Sequence, residues 1–95
     1  MLTPEPLDDL AHRVLHAARA RGLTIAAAES CTGGLVAASL CAIPGASEVF
    51  ERGFVTYTNR AKSEMLGVPG DLIADHGAVS EVVARMMAEG ALEAS

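Results

Sequence analysis

The stretch AAAESCTGGLVAASL, residues 26–40, joins one apolar run to another through a short polar hinge that contains two adjacent glycines. Upstream of the hinge, Leu23 to Ala28 are short and almost uniformly apolar, which suits a strand covered on both faces, as in a parallel sheet. Downstream, CTGGLVAASLCA reads as a helix that stops before Pro44-Gly45. A strand running through a hinge into a helix predicts one half of a strand-helix-strand crossover. The hinge also poses a chemical question, whether Ser30 only starts the helix or also attacks a substrate.

On the N-terminal side, Thr3-Pro4 reads as a helix cap followed by proline at the first helical position. Leu7, Leu10, Ala11, Val14, Leu15 and Ala18 then recur at helical spacing until Gly22. On the C-terminal side, GFVTYT, residues 53–58, combines β-branched and aromatic residues and is the best second strand. Asn59 can cap a short helix, RAKSEML, which Gly67 and Pro69 end. GDLIADHGAV reads as a turn plus a short helix, and Ser80 caps a last helix through Val82, Val83, Met86 and Met87. The alternation of helices and strands predicts an α/β fold and a single domain over residues 1–95. Two strands leave unpaired edges and an uncovered face. The expectation is therefore the front part of a larger domain, incomplete at the C-terminus, or a fold completed by strands from a partner chain.

Composition narrows the function classes. The 95 residues are 51% apolar and 20% charged, with a net charge of −5, as in a packed globular protein. Much of the apolar content is alanine, which buries little area, so the core is expected to be thin. The seven basic residues are spread along the chain, which argues against a nucleic-acid surface. No apolar run is long enough to cross a bilayer, and the start is acidic, so the expectation is a soluble, cytoplasmic protein without a membrane partner. Cys31 and Cys41 fit neither a disulfide framework nor a zinc site and read as reduced thiols. His12 and His16, four apart, lie opposite the apolar stripe and read as solvent-facing rather than as a metal pair. No Walker or G-x-G-x-x-G sequence is present.

If the two strands are parallel, the residues that follow each of them emerge along one carboxyl edge, and Ser30 becomes a neighbour of Tyr57 to Lys62. A helix start behind Ser30 offers backbone N–H groups of Cys31, Thr32 and Gly33 to negative charge. Gly33 and Gly34 let a ligand or another backbone come close. A serine hydroxyl needs a base within reach, and no histidine lies near either strand end. Lys62, in neutral form, is the candidate, with Tyr57 as hydrogen-bond donor or proton relay. Each residue also has an ordinary reading: Ser30 as a helix cap, Lys62 as a solvated side chain, Tyr57 as packing and Cys31 as a small buried residue.

Three segments, AAESCTGGLVAASL, IPGASEVFERGFVTYTNRAKSEMLGVP and HGAVSEVVARMMAEGAL, in this order and spacing, closely resemble the CinA C-terminal domain family, the nicotinamide mononucleotide deamidases. The pairing of E-S-C-T-G-G with V-T-Y-x-N-x-x-K is specific. The resemblance implies a three-layer α/β/α sandwich, of which this chain is the N-terminal part. It implies an amidohydrolase that converts nicotinamide mononucleotide to nicotinate mononucleotide and ammonia, in pyridine nucleotide salvage, without metal or cofactor. By the same resemblance Ser30 is the nucleophile, Tyr57 and Lys62 are its catalytic partners, and Cys31, Thr32, Gly33 and Gly34 form the substrate and oxyanion loop. A homo-oligomer is implied as well. Family domains continue through a T-G-I-A-G-P segment and further strands, whereas this chain stops at Ser95, so weak or no isolated activity is expected. The alternative is a non-catalytic nucleotide-binding or interaction module.

Overall fold

The computed structural model describes residues 5–95, so the cap read at Thr3-Pro4 lies outside the described residues. Helix α1 spans Glu5–Ala20. Its Ala11, Leu15 and Ala18 are buried, Leu7 is half-buried, and Leu10 and Val14 are exposed. Gly22 has φ +65°, a conformation that costs little without a Cβ, and the amide of Leu23 bonds to the Ala18 carbonyl at 2.9 Å to finish the helix.

Strand β1, Ile25–Glu29, pairs in parallel with β2, Phe50–Val55. Ile25 faces Phe50, whereas Ala26 faces Arg52, so one extra residue of β2 is accommodated there. Such a bulge reverses the side-chain alternation locally. Phe50 therefore packs with Leu15, Leu40, Ile43 and Val49 on one face of the sheet, while Phe54 packs with Leu66, Val83 and Met87 on the other. Burial of each such side chain is worth about 1.5–3 kcal/mol. Helices cover both faces, which is the α/β arrangement read from the sequence.

β2 begins and ends three residues earlier than GFVTYT suggested. Its first residues include the exposed, charged Glu51 and Arg52, which hide the strand from a reading by propensity. Thr56, just past the last paired residue, closes the ladder: its amide and its hydroxyl both donate to the Glu29 carbonyl, at 2.8 and 3.4 Å. The chain then enters α3, Asn59–Leu66, whose cap is Thr58, not Asn59, since the Thr58 hydroxyl accepts the amide of Ala61 at 3.1 Å. Gly67, at φ +68°, ends α3. A short α4, Gly70–His76, follows, and Ser80 caps α5, Glu81–Ala94, by accepting the Val83 amide at 3.3 Å.

The covering helices come close at two glycines. Gly53 of β2 lies under Ala37 of α2, Leu35–Cys41, where an added Cβ would make ordinary contact with that alanine at 3.5 Å. Gly90 of α5 sits against the end of α3, where an added Cβ would lie 2.0 Å from the Leu66 carbonyl oxygen. Among the described residues no helix is long and apolar enough to cross a membrane.

Candidate active site

Parallel pairing ends at Glu29 and Val55, so Ser30 on one strand and Thr56, Tyr57 on the other leave the sheet side by side. The carboxyl edge thus collects the residues that the spacing placed there. Their side chains are arranged less simply.

Ser30 is half-buried and does not cap α2. The helix begins five residues later, at Leu35, after a turn over Cys31 to Gly34 in which the Gly33 amide donates to the Ser30 carbonyl at 3.0 Å. Gly33 and Gly34 take φ +60° and +109°. A Cβ on Gly33 would meet nothing within 4 Å and one on Gly34 only Val55, at 3.8 Å, so the glycines serve backbone conformation rather than close protein packing. Cys31 and Thr32 are exposed, which corrects the reading of Cys31 as a buried small residue.

The capping that Ser30 was expected to provide comes from Glu29, the last residue of β1. The residue is 3% exposed. One oxygen accepts from the Thr32 hydroxyl at 2.7 Å, the Gly34 amide at 3.2 Å and the Val36 amide at 2.9 Å, and the other accepts from the Ala37 amide at 2.9 Å. Burial raises the affinity of this carboxyl for a proton, and the bonds from Thr32, Ala37, Val36 and Gly34 together outweigh it, so its pKa lies below the ordinary glutamate value. The amides of Cys31 and Thr32 have no acceptor among the described residues.

Ser30, Cys31 and Thr32 line one cavity of about 230 Å³ with Glu29, Val36, Ala78, Val79, Ser80 and Met87. α5 and the turn before it thus form the opposite wall, which sequence reasoning did not include. A larger hollow of about 310 Å³ lies between α1 and α2, lined by Leu7, Leu10, Val14, Leu35 and Val36 with Thr32 and Ser39 as polar members. With Ser39 already donating to the Leu35 carbonyl at 2.7 Å, that hollow offers little chemistry.

Lys62 is the largest fully buried side chain of the described residues, at 1% exposure, which rules out its reading as a solvated residue. It lies in the first turns of α3 and folds back, so that Nζ donates to the Tyr57 carbonyl at 3.2 Å and reaches Asn59 Oδ1 at 3.5 Å. No carboxylate of the described residues forms an ion pair with it. Tyr57 offers Lys62 its backbone oxygen, while its ring points outward at 70% exposure. No hydrogen bond joins Ser30 to Lys62, and neither Lys62 nor Tyr57 lines the Ser30 cavity. His12 and His16 are both exposed, and among the described residues no three His, Cys, Asp or Glu side chains gather as a metal site would need.

A parallel sheet between helices, with a glycine-turn serine and a buried lysine at its carboxyl edge, defines an α/β protein with a candidate site at that edge. The family model of the CinA C-terminal domain matches residues 7–95, and the chain belongs to that family. It is similar to the nicotinamide-nucleotide amidohydrolase PncC of Escherichia coli K12, at 52% identity over 99% of this chain and 57% of that protein. It is also similar to a CinA-like protein of Anaeromyxobacter dehalogenans, at 54% identity over 95% of this chain and 22% of that one. Among solved structures, the competence/damage inducible protein CihA of Agrobacterium tumefaciens superposes with a TM-score of 0.92 at 48% identity, over 98% of this chain and 56% of that one. A Klebsiella pneumoniae competence damage-inducible protein gives 0.88 at 39% identity, over 92% and 54%. The chain thus spans little more than half the length of these shorter relatives, and about a fifth of the CinA-like protein.

Proposed function

We propose that the chain carries the nucleophile half of an amidohydrolase that deamidates nicotinamide mononucleotide to nicotinate mononucleotide and ammonia. The observation that carries this reading is the parallel pairing that sets Ser30 beside the segment holding a buried Lys62, which pairs with no carboxylate of the described residues. Kinship with a relative named for nicotinamide-nucleotide hydrolysis supports the substrate class.

In this mechanism Ser30 Oγ attacks the carboxamide carbon, and its proton passes to the Lys62 amine, which this step requires in its neutral form. A neutral amine has two N–H groups, matching the two oxygens Nζ faces, and one lone pair for the proton. The tetrahedral oxygen is received by the free amides of Cys31 and Thr32 in the turn that Gly33 and Gly34 make possible. Collapse breaks the C–N bond, the proton on Lys62 goes to the departing nitrogen, and ammonia leaves an acyl-serine ester. Water, deprotonated by the same amine, cleaves that ester to the carboxylate and restores Ser30. Substrate binding must bring Ser30 and Lys62 into contact, since catalytic hydrogen bonds often tighten only in the bound complex. Tyr57, exposed at the rim, closes over the nucleotide in this scheme. No metal or cofactor takes part.

Both strands lack a second neighbour among the described residues, so the site is open and slow turnover is expected of this segment. Self-association into a homo-oligomer would cover the exposed Leu10, Val14, Leu35 and Val36. The free thiols Cys31 and Cys41 suit a cytoplasmic place in pyridine nucleotide salvage. The missing Ser30 to Lys62 bond favours one other reading, a nucleotide-binding module without turnover. Ammonia release and nucleotide binding, measured on the chain and on Ser30→Ala, separate the two. The hydrolase loses release and keeps binding, whereas a binding module binds without release in either form.

A further inference from the structure

Val79 is 82% exposed, more than any other large apolar side chain among the described residues. A lone surface valine is ordinary, but two features set this one apart. The first is how it is held. Ala78, just before it, packs against the core of Leu66, Ile73, Val83 and Met87. Ser80, just after it, donates its hydroxyl to the Gly77 carbonyl at 2.9 Å and accepts the Val83 amide at 3.3 Å. The turn is thus pinned on both sides of a side chain that packs into neither core cluster.

The second feature is where it lies. Val79 lines the cavity of about 230 Å³ that Ser30, Cys31 and Thr32 border from the other wall. The two walls differ in chemistry. One carries the Ser30 hydroxyl and the unspent amides of Cys31 and Thr32. The other, made by Ala78, Val79, Ala84 and Met87, is apolar apart from Ser80, whose hydroxyl is already bonded twice. No Lys, Arg or His lines the cavity. A carboxamide carried on a flat ring matches this division, since the amide meets the donors, the ring meets the apolar wall, and a cationic pyridinium meets no like charge.

We propose that Val79 is a specificity-determining residue, an apolar platform on a pinned turn that takes the face of the substrate's pyridine ring while Ser30 engages the carboxamide the ring carries. This deepens the deamidase reading and rests on it for the identity of the ring. Covering the hydrated isopropyl group with the ring favours binding, and an aliphatic amide without a ring forgoes that gain.

Two measurements use nicotinamide mononucleotide on the chain carrying Ser30→Ala, so that nothing turns over. In methyl NMR the ring current of the bound ring should displace the Val79 methyl signals and leave those of Val14, on α1 outside this cavity, in place. Val79 signals that stay put at saturating nucleotide overturn the proposal, as does absence of binding. In calorimetry, adding Val79→Thr, which keeps the β-branched shape and puts a hydroxyl in place of one methyl, should weaken binding on the order of tenfold, whereas adding Val79→Ile should not weaken it. Equal affinity with Val79→Thr, or an equal loss with Val79→Ile, overturns the proposal. Because Val79 packs into neither core cluster, both substitutions should keep the fold, which circular dichroism checks. Ammonia release by the unaltered chain is scored separately. Displaced Val79 signals without any release sink the hydrolase reading alone, and release with Val79 unmoved sinks this inference alone.

Discussion

Lys62→Met separates stability from chemistry. The substitution keeps a flexible, unbranched side chain of similar length and removes the amine, so packing at this position, 1% exposed, is largely conserved. Two hydrogen bonds are lost, at 3.2 and 3.5 Å, each worth about 0.5–1.5 kcal/mol net. Their acceptors sit on Tyr57 and Asn59, both exposed residues, so water can take the place of Nζ. Against that loss stands relief from burying a polar amine, about 1–3 kcal/mol on mutational scales. The two nearly cancel. Stability should change by less than about 1 kcal/mol, a shift in melting temperature within about 4–8 °C for a domain of this size. Ammonia release should fall by about 10²–10⁴, the usual contribution of a positioned proton acceptor. Thermal unfolding by circular dichroism and a coupled ammonia assay read the two quantities. Loss of more than about 3 kcal/mol of stability, or release at the original rate, would refute the assignment of Lys62 as base.

Other substitutions test the scaffold. Gly90→Ala should destabilise by roughly 1–3 kcal/mol despite better helix propensity, because the new Cβ falls 2.0 Å from the Leu66 carbonyl oxygen; a urea midpoint equal to or above the original would show that α3 and α5 do not meet as described. Gly34→Ala, at φ +109°, should cost about 1–3 kcal/mol and lower ammonia release through the Ser30 turn; equal stability would contradict that turn geometry. Glu29 has a lowered pKa in the folded state, so its contribution is complete above the ordinary glutamate value of about 4.3 and is lost as pH falls through the lower folded value. Glu29→Gln should therefore flatten the acid limb of a stability-against-pH curve, and an unaltered limb would count against the buried carboxylate. Light scattering should give a mass above that of a monomer, with Leu10→Lys reducing it; a monomer before substitution would remove the self-association proposal.

What the sequence disclosed, and what it hid, follows from how local each signal is. An apolar run before a glycine hinge was enough to place β1 and a parallel partner, because burial on both faces leaves a continuous apolar pattern. Caps at Ser80 and the stop at Gly67 are local chemistry and were legible. The start of β2 was hidden by Glu51 and Arg52, and the bulge facing Ile25 has no signature of its own. Ser30, Tyr57 and Lys62 could be gathered to one edge from topology alone. Their contacts could not, since rotamers are set by packing: Tyr57 turns outward while Lys62 folds in. Glu29, whose carboxylate caps the start of α2 behind Ser30, was hidden. A lone acid closing an apolar strand, ahead of a helix with no acid in its first turn, was the available signal, and Ser30 drew the capping role away from it.

Rapid acid quenching of the chain with nicotinamide mononucleotide, followed by peptide mass analysis, tests the nucleophile assignment most directly. An acyl adduct on the peptide containing Ser30, present during ammonia release and absent in Ser30→Ala, is the predicted result. Ammonia released while that serine stays unmodified at every time point, or at equal rate in Ser30→Ala, would contradict it.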